Sequence, residues 1–351
     1  MSAARDAAAA VLAIRPRTLG DVVLLTPALR ALAKGHPGAP LEVITEARYA
    51  PLLAAQPEVA RVWPMARTTS GTLGLIARLR ARRVALAVDF FGNPRTALVT
   101  RACGAPRTAG YDLARRRSAY RLRVPRELRP GPDRREFAAA THVRLALAAG
   151  GVDDGLEPRL ALPEGAGSAA RELLERAGVA VPARAIGLVA AGTWRAKTWP
   201  LSHAARLAAG LAGAGHEVLA ILGPGEAHVG ATLRRFAPAT RLLPDCGIVE
   251  LAAVIRRLRA VVGTDSGPRH LAAAFGVPTF AWFGPTHPDT WTGPGPHGWW
   301  RTALPCRACD RTVCPHWSCL PALAPDQALA RVLAHLEAHG VAAGVGAAAG
   351  A

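Results

Sequence analysis

Residues Gly263-Thr-Asp-Ser-Gly-Pro-Arg-His270 crowd a carboxylate, a hydroxyl and an imidazole into one short turn. An apolar run, Ala260-Val-Val-Gly263, precedes the turn and reads as a buried strand, and Leu271-Ala-Ala-Ala-Phe275 opens a helix behind it. A helix start carries unpaired backbone N–H groups and the positive end of the helix dipole, so such a turn is equipped to bind an anion. Gly267 lets a ligand approach the backbone closely, and Pro268 suits the first helical turn. The same residues also fit an ordinary capped helix, with Asp265 or Ser266 as N-cap.

Three further polar clusters each follow a predicted strand. Behind Val11–Arg15 comes Arg15-Pro-Arg-Thr-Leu-Gly-Asp21. Asp21 there is either a helix cap or a carboxylate placed to take a proton from a substrate hydroxyl. Behind Ile186–Ala190 comes Ala191-Gly-Thr-Trp-Arg-Ala-Lys197-Thr-Trp199-Pro200, in which Thr193 can donate to a phosphate. Lys197 is one of only two lysines (with Lys34) among 43 basic residues, which suggests that a compact ammonium is needed at that position. Behind Glu217–Leu222 comes Gly223-Pro-Gly-Glu226, where Glu226 can accept from ribose hydroxyls. An ammonium, hydroxyl donors, a helix N-terminus and a ribose acceptor along one sheet edge are the equipment of a nucleotide diphosphate site.

The elements that must position these groups alternate between strand-like and helical patterns, which predicts an α/β protein with parallel sheets. In the first half, strands are expected at Val11–Arg15, Leu41–Thr45, Val59–Trp63 and Val84–Phe90, with helices near Val22–Lys34, Ala47–Ala55 and Leu73–Arg82. A second series begins at Ala185, with strands at Ile186–Ala190, Glu217–Leu222, Ala260–Gly263 and Pro278–Phe283. Its helices fall at Ser202–Ala214, Ala227–Phe236, Val249–Leu258 and Pro268–Phe275. Pro163 to Pro182, with one helix at Ser168–Ala177, reads as the linker region. The expected organisation is two doubly wound domains facing a central cleft, residues 1–180 and 181–340, with a disordered Gly/Ala-rich tail over 341–351. Ligands in such sheets bind at the carboxyl ends of the strands.

A formal net charge of +18 predicts attraction to an anionic partner: nucleic acid, a membrane surface or a phosphorylated substrate. Nine arginines fall between Arg115 and Arg135, against Glu127 and Asp133, either as a solvated loop or as an anion-binding stretch. Nucleic acid is disfavoured because aromatic residues are only 5% of the chain, and Trp and Phe concentrate near the C-terminal domain rather than in the arginine-rich segment. No apolar run approaches the roughly 20 residues of a spanning helix. Ala7–Ile14 lacks the flanks of a signal peptide and reads as the first strand of a cytoplasmic protein. There is no G-x-x-x-x-G-K-[ST] loop, no G-x-G-x-x-G after the first strand, no H-E-x-x-H and no D-x-D pair, so a metal-free electrostatic mechanism fits best.

These motifs resemble those of the glycosyltransferase family 9 heptosyltransferases, which add heptose to the inner core of Gram-negative lipopolysaccharide. Thr18-Leu-Gly-Asp21 is similar to the family's S/T-L-G-D, and Gly192-Thr193 with Lys197-Thr-Trp199-Pro200 is similar to its glycine and K-x-W-P element. Asp265-Ser-Gly-Pro-Arg-His270-Leu-Ala-Ala-Ala resembles D-S/T-G-x-x-H-x-x-A-A, and Phe283-Gly-Pro-Thr286 resembles the F-G-P-T that follows. The resemblance spans roughly residues 11 to 340. Its departures are Thr18 for the usual Ser, and Arg269 where Met or Leu is common. It implies a GT-B fold of two Rossmann-like domains, acceptor in the first and donor in the second. It further implies an inverting displacement from ADP-heptose that needs no cofactor, with Asp21 as general base. Lys197, Thr193 and the helix start at Ser266 and Gly267 would meet charge on the departing ADP, and Glu226 would position the ribose. Asp265 and His270 would bind the donor or order its loop. Arg115, Arg116, Arg117, Arg121 and Arg123 would hold the anionic groups of a lipid-linked core acceptor. Electrostatic attraction would add peripheral contact with the cytoplasmic face of the inner membrane. Another GT-B enzyme acting on a different sugar nucleotide, a transferase or an epimerase, is the competing reading.

Four of six cysteines form Cys306-x2-Cys309-x4-Cys314-x4-Cys319. That spacing suggests a structural zinc site, or else buried or redox-active thiols. Cys103 and Cys246 read as core residues.

Overall fold

The computed structural model describes residues 9–128, 133–306 and 308–340. It divides into two compact units, Met1–Leu162 and Pro163–Ala351. The first carries strands β1 (Ala10–Ile14), β2 (Leu41–Thr45), β3 (Val59–Pro64), β4 (Val84–Asp89), β5 (Arg107–Tyr111) and β6 (Leu122–Val124). Its helices are α1 (Leu19–Leu24), α2 (Thr26–Gly35), α3 (Ala50–Ala54), α4 (Thr69–Arg82), α5 (Pro94–Ala102) and α6 (Ala138–Ala148). The second unit carries β7 (Ala185–Val189), β8 (Glu217–Ala220), β9 (Arg241–Leu242), β10 (Ala260–Thr264), β11 (Thr279–Phe283) and β12 (His297–Arg301). Its helices are α7 (Ala166–Arg176), α8 (Leu201–Gly213), α9 (Ala227–Phe236), α10 (Ile248–Ile255), α11 (Gly267–Ala274), α12 (Pro288–Trp291) and α13 (Pro325–Ala338).

Both sheets are wholly parallel, in the orders β3-β2-β1-β4-β5-β6 and β12-β11-β10-β7-β8-β9. Counted within its own unit, each has the order 3-2-1-4-5-6 of a Rossmann sheet, with a switch point between its first and fourth strands. Central strands covered on both faces need apolar residues at every position, which is why β1 and β7 are continuous apolar runs rather than alternating ones, while in β2 the buried Glu42 is paired with Arg82 and accepts from the Trp63 indole N–H. In β1, Val11 and Ala13 pack with Leu29 and Leu32 of α2, whereas Leu12 and Ile14 face Leu75 and Leu79 of α4. In the second unit Ile186 and Leu188 pack with Leu207 and Leu211 of α8 and with Trp282.

Several expectations are revised. The stretch expected as one helix over Val22–Lys34 is two, sharing Leu25 as cap, because Pro27 has no N–H to continue the ladder and sits at the start of the second helix. Helix α7, read as linker, packs on α10, so the division falls before it rather than at residue 180. Cys103 is buried as expected, but Cys246 is exposed in the loop leading to α10. The tail over 341–351, together with Ala7, Ala8 and Arg129, lies outside the described residues.

Candidate active site

The first unit's site is built at its switch point. Thr18, in extended conformation, caps α1, and Asp21 sits in the first turn. The Thr18 backbone N–H and hydroxyl both donate to Asp21 Oδ2, at 3.0 and 2.9 Å. Asp21 is therefore not the cap; it reaches back to the cap, and the reciprocal bond fixes its rotamer. Asp21 Oδ1 is ion-paired with Arg15, which follows β1 and is only 4% exposed. Arg15 also donates to the Phe90 carbonyl at 2.6 Å and lies over the Phe91 ring. That carbonyl belongs to the turn after β4, the strand beside β1. The turn is pinned by Asp89, which accepts from the N–H groups of Phe91 and Gly92 and from the Tyr120 hydroxyl. Burial pushes the Asp89 pKa up, and these three donors oppose the rise. Replacing Arg15 with methionine is expected to cost about 3 kcal/mol of stability, because it strips a charge partner from Asp21 and a donor from Phe90. The urea midpoint of the variant measures that loss.

At the same sheet edge a pocket of about 390 Å³ is lined by Arg17, Glu46, Met65, Arg67, Asn93 and Arg95, among others. These residues follow β1, β2, β3 and β4 in turn, so four strand ends converge on it. Its carboxylate, Glu46, is already paired with Arg48 at 2.7 Å. Arg95 donates to the Ala66 carbonyl, and Arg17 and Arg67 have no carboxylate partner among the described residues. The pocket is therefore electropositive and suits an anionic group. Arg17 falls within the cluster behind β1, whereas Arg67, behind β3, and Arg95, in the first turn of α5, were not singled out from sequence.

In the second unit the turn behind β10 meets the loop behind β7. Gly263 makes this possible: its φ is +152°, and a Cβ there would meet the Val189 carbonyl oxygen at 2.2 Å. The Thr264 hydroxyl donates to the Lys197 carbonyl. Trp199 anchors the far end of the loop, fully buried against Trp282, with its indole N–H shared between the Leu320 and Leu323 carbonyls. Gly192 is needed because a Cβ would press on the Lys197 backbone and Cβ at 2.7–3.0 Å. So held, the Lys197 ammonium reaches Asp265 Oδ2 at 2.7 Å and lies over the rings of Trp194 and Trp291. Asp265 is buried and also accepts from the Thr286 hydroxyl at 2.9 Å and from Arg269 at 3.2 Å. Burial would raise its pKa, yet Lys197 and Arg269 hold it well below the usual carboxylate range.

Ser266, not Asp265, is the N-cap of α11. Its hydroxyl is buried and makes no hydrogen bond among the described residues. His270 is buried, 3.9 Å from Asp265, with its ring against that of Trp291. Thr193 is exposed in the Lys197 loop. Glu226 turns back on its own loop and accepts from the Gly223 N–H at 2.7 Å, which leaves its second carboxylate oxygen for another donor. The structure thus brings Gly192, Lys197, Asp265, Ser266, Gly267 and His270 to one sheet edge. It adds Thr286, Arg269, Trp194 and Trp291, whose part the sequence reading did not foresee.

The arginines expected to bind the acceptor lie elsewhere than the pocket. Arg121 and Arg123 are exposed on and beside the edge strand β6, Arg115 and Arg116 lie in the preceding turn, and Arg117 is paired with Asp112 at 2.6 Å. The zinc expectation rests on four cysteines, of which Cys319 has its thiol pushed up by burial and by the neighbouring Cys309 and Cys314. Among the described residues no three His, Cys, Asp or Glu side chains are placed to hold a metal ion. Cys306 and Cys309 are exposed, Cys314 accepts from the Trp317 N–H, and Cys319 packs beside Gly284.

Two Rossmann-type units, one with a fixed carboxylate and one with a partly exposed, charge-paired ammonium beside a helix start, fit the class of enzymes that handle nucleotide-activated substrates. The chain belongs to glycosyltransferase family 9 (heptosyltransferase), which it matches over residues 72–317, and it is a glycosyltransferase of the GT-B fold. It is 28% identical to lipopolysaccharide heptosyltransferase 1 of Pseudomonas aeruginosa over 87% of each chain. Its fold is similar to that of Escherichia coli ADP-heptose lipopolysaccharide heptosyltransferase II, with a TM-score of 0.75 at 22% identity, covering 94% of this chain and 99% of that one. It is also similar to the Escherichia coli heptosyltransferase WaaC solved with ADP, with a TM-score of 0.69 at 21% identity, covering 93% and 99%.

Proposed function

We propose that this protein transfers a heptose from ADP-heptose to the inner core of lipopolysaccharide, with inversion at the anomeric carbon and without a metal ion. The observation that carries the reading is the Lys197–Asp265 pair beside the start of α11, at the switch point of the second unit. The names of the relatives point to the sugar, the nucleotide and the acceptor.

In the proposed step an acceptor hydroxyl oxygen bonds to the anomeric carbon while the bond from that carbon to the β-phosphate oxygen breaks. The hydroxyl proton passes to Asp21. Two donors already fill Oδ2, so the hydroxyl binds at Oδ1, which has only Arg15 beside it. Charge on the departing ADP falls on Lys197, the Thr193 hydroxyl, the Ser266 hydroxyl and the backbone amides that open α11 at Gly267. Glu226 holds the ribose through its free oxygen. The electropositive pocket of Arg17, Arg67 and Arg95 takes an anionic group of the acceptor, and Arg115, Arg116, Arg117, Arg121 and Arg123, away from that pocket, offer a second positive surface. No helix among the described residues is long and apolar enough to cross a membrane. Net charge supplies the attraction for peripheral contact with the cytoplasmic face of an anionic inner membrane.

Calorimetric titration of the purified protein with ADP, UDP and GDP in EDTA tests the donor half. ADP-selective binding is expected, followed by heptose transfer to heptose-deficient lipopolysaccharide. Selectivity for UDP or GDP would move the protein to another donor, and absence of any nucleotide binding would remove the reading.

A further inference from the structure

Arg269 is an expensive residue to place where it lies. It is 2% exposed in α11, and its Nε is buried without a hydrogen-bond partner. Unsatisfied buried donors and buried charges both cost stability, so an arginine is not what packing alone would select at this position. Its guanidinium donates to Asp265 Oδ1 at 3.2 Å and to the Trp291 carbonyl at 2.6 Å, and lies over the Phe283 ring. Enclosed in this way, it cannot itself reach a ligand.

Its effect on the charge balance is large. Asp265 carries one negative charge and faces two permanent cations, Arg269 from the interior and Lys197 from the more open side, beside the His270 ring at 3.9 Å; the arginine and lysine side chains are 3% and 12% exposed. Asp265 and the two permanent cations together carry a net charge of +1, and without Arg269 they would carry none. The Trp291 backbone that Arg269 holds bears one of the two rings flanking the Lys197 ammonium. We propose that Arg269 is a positioning residue of the donor site. It neutralises Asp265 from behind, so that Lys197 presents its charge to a nucleoside diphosphate instead of spending it on the carboxylate, and it sets Trp291 beside that ammonium.

The inference rests on the donor-site reading above, and the test separates the two. ADP binding is measured by calorimetry for the wild type, Arg269→Gln and Arg269→Lys, at low and high salt in EDTA. Glutamine keeps N–H donors for the Trp291 carbonyl but removes the charge; lysine keeps the charge but loses the fork. At low salt Arg269→Gln is expected to lose roughly tenfold in ADP affinity, with the deficit shrinking at high salt, and Arg269→Lys is expected to recover most of it. A deficit equal at both salt concentrations, and shared by the lysine variant, would show a merely structural arginine and overturn the proposal, as would undiminished affinity in Arg269→Gln. Should the glutamine variant fail to fold, the lysine variant decides by the same criterion: affinity near wild type supports the charge role, and a salt-independent loss overturns it. Wild-type protein that binds no ADP would instead remove the donor-site reading itself, and this inference with it.

Discussion

Asp21→Asn is expected to lower turnover about a thousandfold while leaving ADP affinity within twofold of wild type. Asparagine preserves the shape that fills the space between Thr18 and Arg15, and its carbonyl oxygen can still accept from Thr18. It cannot take a proton from the acceptor hydroxyl. Asp21→Ala is expected to lose as much activity; both variants leave the buried Arg15 with no carboxylate opposite it, so each is expected to lose some stability as well. Single-turnover transfer rates with saturating donor, read against the ADP isotherm, separate the chemical step from binding. Preserved turnover in the asparagine variant would remove Asp21 as the base.

Lys197→Ala is expected to weaken ADP binding and turnover together, each by about a hundredfold. Asp265 would be left paired with Arg269 and the Thr286 hydroxyl on its inner side, a pair with no net charge, so no positive charge would face the diphosphate where Lys197 now lies. Lys197→Arg is expected to recover only part of the loss. The ammonium sits over the rings of Trp194 and Trp291, 4.9 and 5.5 Å from their centres, and a broad planar fork does not fit that point-charge position. ADP isotherms and donor KM values for both variants provide the check. Unchanged donor affinity in Lys197→Ala would count against a phosphate role.

What was hidden from a sequence reading has identifiable causes. Strand β6, Leu122–Val124, lies inside the arginine-rich segment, where three residues at a sheet edge give too little apolar pattern to stand out. Strand β12 is an edge strand whose partly exposed Trp299 and Trp300 carry no clean alternation. Arg269 reads locally as a polar residue in a helix, and only its neighbours show that it is buried.

By itself the sequence determined the elements and the chemistry at their ends. Apolar runs of strand length, each followed by a small-residue turn and a helical pattern, specify parallel Rossmann-type units. The same rule puts Asp21, Lys197, Glu226 and Asp265 just behind strands, since parallel strands expose polar groups at their carboxyl ends. Tertiary structure alone decided which of these groups meet. Strand order brings β7 beside β10, so Lys197 and Asp265 bond across 68 residues of chain. It brings β1 beside β4, so Arg15 can hold both Asp21 and the Phe90 carbonyl. It also gathers Arg17, Arg67 and Arg95 from three strand ends into one pocket. Local periodicity records how each segment buries its own apolar face; which segments become neighbours is settled only when the whole sheet assembles.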